Sequence, residues 1–259
     1  MKLYKSFISV LSLFMLAALY SCSQEGFSSD KLSGEGAPLS LHILSGQYTS
    51  PDDVQTRVSE EGYTTKFSSG DQIGVLQIIT PNNGIKQYNT YCFTLDNKGI
   101  WTSEKTLLHQ SGNVSYIAYY PYAEIADTEA LDAYITGFSP RQSQSTYEDY
   151  THSDLMKGEG VVSGTILTVT LQHLMSLMVL EVCATTSAPL VLTWEDGKIP
   201  YQTADNKIFR YLVKPGANST LKGGYPYFSG TRKFEVNATA EELKSANYFL
   251  WKIDEGVTF

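Results

Sequence analysis

The sequence predicts an all-β protein built of β-sandwich domains, and three observations predict it. Apolar residues recur with period two through most of the 259 residues, the pattern of strands with one buried face. Turn clusters such as Pro81-Asn82-Asn83-Gly84 and Asp96-Asn97-Lys98-Gly99 break these runs about every ten residues, the spacing of a sandwich. Segments of helical period are short, which argues against an alternating α/β sheet.

In chain order, Leu39, Leu41 and Ile43 share one face of a first strand, and Ser45 to Gln55 reads as an exposed loop behind it. Ile73 to Ile79, Val114 to Tyr120 and Leu177 to Val182 are apolar on both phases and suit interior strands covered on two sides. Leu167, Val169 and Leu171 face one way with Thr168 and Thr170 opposite. Phe249, Trp251, Ile253, Val257 and Phe259 fall on one phase, interrupted by Glu255. Two brief helices are expected: a turn or two over Thr128 to Ala133, and one opened by the capping box Thr239-Ala240-Glu241-Glu242. The polar stretch Ala184 to Pro189 separates an N-terminal domain, 38–183, from a C-terminal one, 184–259.

The N-terminus reads as an address. Lys2 and Lys5 precede an apolar run, Phe7 to Leu19, and then Tyr20-Ser21-Cys22. These are the charged, apolar and small-residue regions of a secretory signal, here 1–21. The run is shorter than the ~20 residues of a membrane-spanning helix. Leu19 to Cys22 resembles a lipobox, so Cys22 is expected to carry the lipid that anchors the exported protein, with the Ser- and Gly-rich stretch 22–37 as tether.

A formal net charge of −8 opposes a phosphate backbone, so nucleic acid is not an expected partner. Cys92 and Cys183 are the cysteines beyond the leader, and nothing in the pattern places them together. The chain contains no nucleophile elbow, phosphate loop, dinucleotide fingerprint or zinc-protease helix, and histidines 42, 109, 152 and 173 match no metal spacing. No catalytic residue, cofactor or metal site is therefore expected, and the chain does not read as an enzyme. His152-Ser153-Asp154 reads as a turn, because neighbours on an extended chain cannot converge as a triad. His173, in phase with Val169 and Leu171, reads as a hydrogen-bonded histidine at a core edge.

A series of landmarks resembles the fimbrillin family, pilus subunits assembled from lipoprotein precursors. They are Thr56-Arg57; Phe67 with Gly70-Asp71-Gln72-Ile73-Gly74-Val75; Trp101; Ala118-Tyr119-Tyr120-Pro121-Tyr122; Gln142-Ser143; Tyr150 with Ser153-Asp154-Leu155-Met156; and Leu171-Gln172-His173-Leu174-Met175. One departure is Arg141, where the pattern leads one to expect an acidic residue. The resemblance implies two tandem transthyretin-like β-sandwich domains and a structural or adhesive role. The implied location is the cell outer membrane or a fimbria, with other pilus subunits and host or bacterial surface ligands as partners.

It also suggests assembly by strand exchange. Arg57 is the only Lys or Arg between Lys31 and Lys66. Proteolysis there would free the Leu39, Leu41, Ile43 strand, and a strand such as Phe249 to Phe259 could refill its place. The alternatives are that both segments are ordinary edge strands, and that the protein is a surface glycan-binding lipoprotein that stacks sugars on exposed Tyr and Trp. In cells fed a labelled fatty acid, the wild type is expected to incorporate label and Cys22→Ala to lose it; equal labelling would remove the anchor.

Overall fold

The computed structural model describes residues 36–49, 63, 65–183, 192–204, 207–227 and 230–254. The chain is mostly β. Seven strands form one sheet: β1 (Ser40–Ser45), β2 (Gln72–Ile79), β3 (Gln87–Leu95), β4 (Trp101–Thr102), β5 (Val114–Tyr120), β6 (Met156–Ser163) and β7 (Ile166–His173). Their order is β1-β7-β6-β5-β2-β3-β4. Every pairing is antiparallel except β1 on β7, where Leu41 lies opposite Leu167 and Ile43 opposite Val169 in parallel. The sheet curls until its edges meet. Gly36 N–H donates to His109 O, Leu39 N–H to Leu107 O and His109 N–H to Ala37 O, each at 2.8 Å.

A second group of strands follows: β8 (Ser176–Cys183), β9 (Thr193–Trp194), β10 (Tyr201–Gln202), β11 (Ile208–Val213), β12 (Ser219–Tyr227), β13 (Gly230–Ala238) and β14 (Tyr248–Asp254). They make a four-stranded sheet, β10-β11-β8-β14, and a three-stranded one, β13-β12-β9. Between these sheets Met178, Leu180, Phe209, Tyr211, Phe234, Val236 and Ile253 close a core. β8, expected in the N-terminal part, belongs here, because its neighbours are β11 and β14. Its double apolar phase is explained by two cores: Met178, Leu180 and Val182 face the sandwich, while Leu177 and Val179 face a second cluster with Tyr48, Tyr150 and Leu155. The stretch Ala184 to Pro189 lies outside the described residues.

β2 and β5 are likewise covered on both sides. Ile73, Val75, Tyr116, Ala118 and Tyr120 point into the core of the curled sheet with Leu39, Leu41 and Phe93. Leu76, Ile78 and Tyr119 point outward and pack with Leu131 of α1 (Thr128–Gly137). This helix runs further than the sequence suggested; the Asp127 carboxylate caps it by accepting from Ala130 N–H at 2.8 Å. A second helix, α2 (Tyr147–Thr151), was not foreseen and is capped by Thr146.

The helix expected after Thr239 does not form. The capping bonds do form, with Thr239 N–H donating to Glu242 Oε2 at 2.8 Å. The turn stops at Glu242, and a second turn, closed by Asn247 N–H donating to Lys244 O, passes through Ala246, whose φ of 60° lies in the left-handed region.

Several landmarks meet in space. Phe67 packs edge-on against Trp101 and Tyr120, with ring centroids 5.5 and 5.1 Å apart. Gln142 of the next landmark and Gln144 just beyond it pair with Ile199 through backbone bonds, and the Gln144 amide both donates to and accepts from the Leu212 backbone at 2.8 Å. The Arg141 guanidinium pairs with Asp149. The Asp149 carboxyl is held below its usual range, first by the Thr146 hydroxyl and then by Arg141. Cys92 on β3 is a free thiol.

Gly74 is where close approach demands glycine. A Cβ there would lie 2.0 Å from the Tyr119 ring, which is itself fully buried. Gly74→Ala should therefore cost ~1–3 kcal/mol by overpacking and Tyr119→Ala ~3–5 kcal/mol as a truncated core aromatic. In urea unfolding the double variant is expected to fall short of the sum, because the methyl occupies space the ring has left.

Candidate functional site

The Leu39, Leu41, Ile43 face of β1 is seated in the core of the curled sheet: Leu39 and Leu41 are buried and Ile43 packs against the cluster from the rim. Burying the two leucines stabilises by ~3–6 kcal/mol at 1.5–3 each. Of the loop expected over Ser45 to Gln55, residues 46–49 stay bonded to the fold, and 50–55 lie outside the described residues. Gly46 N–H donates to Leu171 O at 2.7 Å, and Thr49 N–H donates to Ala246 O while Thr49 O accepts from Tyr248 N–H, both at 2.9 Å. The segment 36–49 thus runs from 107–109, along β7, to the start of β14. A Cβ at Gly46 would come within 2.6 Å of Gln172 Oε1, the movable end of an exposed side chain, and 3.1 Å from the Leu171 carbonyl oxygen.

Beneath this crossing lies a buried polar knot. Asp154, in the turn between α2 and β6, and His173, at the end of β7, have side chains fully shielded from water, with Nδ1 2.8 Å from Oδ2. The Tyr48 hydroxyl donates to Asp154 Oδ1 at 2.7 Å and the Thr65 hydroxyl donates to Oδ2. His173 Nε2 donates to Gly46 O at 2.9 Å. The Tyr48 ring stacks on the imidazole with centroids 3.9 Å apart. Burial, and then the Asp154 charge, push the Tyr48 hydroxyl well above its ordinary titration range. Four parts of the chain distant in sequence converge here, and two of them, 46–49 and Thr65, flank in sequence the stretch that holds Arg57.

The sequence identified the β1 face and the hydrogen-bonded His173, but took 152–154 for a turn without a role. Asp154 pairs with His173, not with its neighbour His152. The available signal was that two landmarks, Ser153 to Met156 and Leu171 to Met175, carry an acid and a histidine that a β hairpin can bring together. β6 and β7 do so, placing Met156 opposite His173.

At the other end of the chain, β14 pairs with β8 in parallel, Phe249 opposite Met178 and Trp251 opposite Leu180. Ile253 is buried, and Phe249 and Trp251 pack against the sandwich core, so β14 is an edge strand of its own sheet. Cys22, Arg57, Val257 and Phe259 lie outside the described residues. Among the described residues no group of three or more His, Cys, Asp or Glu converges as a metal site.

A family model described as Fimbrillin-like matches residues 56–224. The chain belongs to this family of fimbrillin-like proteins. A candidate fimbrium tip subunit of Bacteroides ovatus, Fim1C, is 26% identical over 244 residues, covering 79% of this chain and 44% of the relative. The crystal structure of a fimbrial protein from Bacteroides ovatus superposes with a TM-score of 0.62 at 20% identity, over 85% of this chain and 49% of that one. That of a candidate cell-adhesion protein from the same species gives 0.53 at 15% identity, over 84% and 92%. This chain spans less than half the length of the first two relatives.

Removing one member of the buried pair should cost far more than removing a surface ion. Asp154→Ala is expected to lose ~3–5 kcal/mol and Tyr48→Phe ~1.5–3 kcal/mol, whereas Arg141→Ala should stay within ~1 kcal/mol. Urea unfolding followed by fluorescence ranks the three.

Proposed function

We propose that the chain is a structural subunit of a cell-surface pilus or a related adhesin, exported as a lipoprotein precursor and anchored in the outer membrane through lipid on Cys22. Family membership supports the class. The observation that carries the mechanism is the seating of β1: an edge strand, parallel to its neighbour, whose side chains complete a core. Cleavage at Arg57 is the step that detaches it together with the anchor, and the partners are other pilus subunits that supply a replacement strand.

We take the seven-stranded sheet and the following sandwich as two β-domains, with the junction at Leu174–Met175. The chain's own Phe249, Trp251 and Ile253 repeat the spacing of Leu39, Leu41 and Ile43. Gly256 follows Ile253 at the interval that separates Gly46 from Ile43, so this stretch is the donor candidate. Against the glycan-binding alternative, every Tyr, Trp and Phe whose side chain is described is buried or half-buried.

Lipid-free wild type treated with trypsin is expected to yield a ladder of polymers on native gels and fibres by electron microscopy, and Arg57→Ala to remain monomeric. Wild type that stays monomeric after clean cleavage at Arg57 would remove strand exchange. Binding of polysaccharide by that monomer would establish the glycan reading instead.

A further inference from the structure

The contacts of His173 dictate a proton count. Nε2 lies 2.9 Å from the Gly46 carbonyl oxygen, which can only accept, so Nε2 carries hydrogen. Nδ1 lies 2.8 and 3.0 Å from the two carboxyl oxygens of Asp154, which also accept from the Tyr48 and Thr65 hydroxyls. A bare Nδ1 would set its lone pair against an acceptor, so a second hydrogen lies between Nδ1 and Asp154. Drawn on nitrogen or on carboxyl oxygen, the pair as a unit holds one proton more than a carboxylate beside a neutral imidazole.

The surroundings supply no competing titration. Tyr48 stacks on the imidazole from the segment after β1, Tyr150 of α2 and Tyr120 of β5 feel the Asp154 charge, and burial pushes all three hydroxyls up. Arg210 of β11 acts on Tyr150 and lies over the Tyr63 ring at 5.1 Å. The remaining neighbours, Thr65 and the Ser245 hydroxyl that donates to His173 O, do not titrate.

We propose that this shared proton is the latch that fastens segment 36–49, so that release of the segment is coupled to loss of the proton. The inference rests on reading 36–49 as the detachable element of a pilus subunit, but its chemistry belongs to the monomer. When the segment lifts, the Gly46 carbonyl and the Tyr48 ring and hydroxyl leave, and water reaches the pair. A solvated histidine titrates near 6.5, so above about that pH the opened pair gives its proton to water while the closed pair keeps it. Below that pH both forms keep it and pH has no leverage. Above it the open form binds one proton fewer, and each pH unit favours release by up to about tenfold. The segment is held most firmly in mildly acidic surroundings and loosened by alkali.

Hydrogen exchange of peptides covering 36–49 in the full-length, lipid-free protein tests this between about pH 6 and 9, each rate divided by that of the unfolded chain at the same pH. Wild type should open progressively more above about 6.5, by up to about tenfold per unit, while peptides from β12 stay flat. In the double variant His173→Gln, Asp154→Asn, whose side chains donate and accept but do not titrate, the profile over 36–49 should be flat. A flat wild-type profile, or equal slopes in both proteins, would overturn the latch.

If the variant does not fold, nitrogen and carbon NMR of wild type at neutral pH decides. The latch requires hydrogen on Nε2 together with either hydrogen on Nδ1 or a protonated Asp154 carboxyl; a bare Nε2, or a bare Nδ1 beside an ionised carboxylate, overturns it. Absence of polymers after trypsin would sink the pilus reading and leave this measurement untouched, whereas a flat profile leaves polymerisation open.

Discussion

Two polar side chains out of reach of water, Asp154 and His173, set the terms for the N-terminal part of the molecule. A buried ion deprived of its partners costs several kcal/mol, so the carboxylate and imidazole must find every hydrogen bond inside the protein. They find them on chain segments that secondary structure alone would not bring together: Gly46 and Tyr48 before the Arg57 stretch and Thr65 after it. Those contacts fix where the chain enters and leaves that stretch. The pair thereby converts a β hairpin, β6–β7, into a site that requires the segment lying across it.

The same region joins the two groups of strands. Leu177, Val179 and Leu212 from the four-stranded sheet share a cluster with Tyr48, Tyr150 and Leu155, and Tyr150 stacks on Tyr201 with centroids 5.4 Å apart. The Gln144 amide satisfies both backbone groups of Leu212 as a neighbouring strand would. A cluster packed this way resists independent movement of its parts, because interiors of crystal-like density do not deform continuously. Disturbing the knot at Asp154 therefore disturbs the junction as well as β1.

Much of this was legible in the sequence, and the exceptions have physical causes. Period-two alternation located β1, β7 and β14, and doubly apolar runs located β2, β5 and β8, because burial on one or two faces is written directly into side-chain polarity. The partner of β8 was not legible: its run reads the same whichever sheet covers it, and only pairing with β11 and β14 assigns it. The helix after Thr239 was over-read because a capping box marks a first turn and says nothing about a second. Asp154 was missed for the converse reason. A charged residue next to a helix end looks solvated until the fold supplies a histidine 19 positions away, and pairing across that distance is a property of the hairpin.

Connectivity distinguishes β1 and β14 from every other strand described. Strands joined by tight turns pair antiparallel, and a parallel neighbour has to come from a distant part of the chain. β1 on β7 and β14 on β8 are the two parallel pairings, and each places its strand at a sheet edge. A single break after β1 would leave all the hairpins of the curled sheet connected, whereas a break beside β5 or β6 would sever a central strand. The vacated seat would then be selective. It is cut for Leu39 and Leu41, both buried, and an aromatic in either place would have to be accommodated at ~1–3 kcal/mol of overpacking. It also ends at an imidazole that needs a carbonyl and a carboxylate that needs a hydroxyl. Alternating apolar side chains alone fill the upper part of that seat, and only a strand that also offers the backbone oxygen of Gly46 and a donor in place of Tyr48 leaves no buried charge unsatisfied.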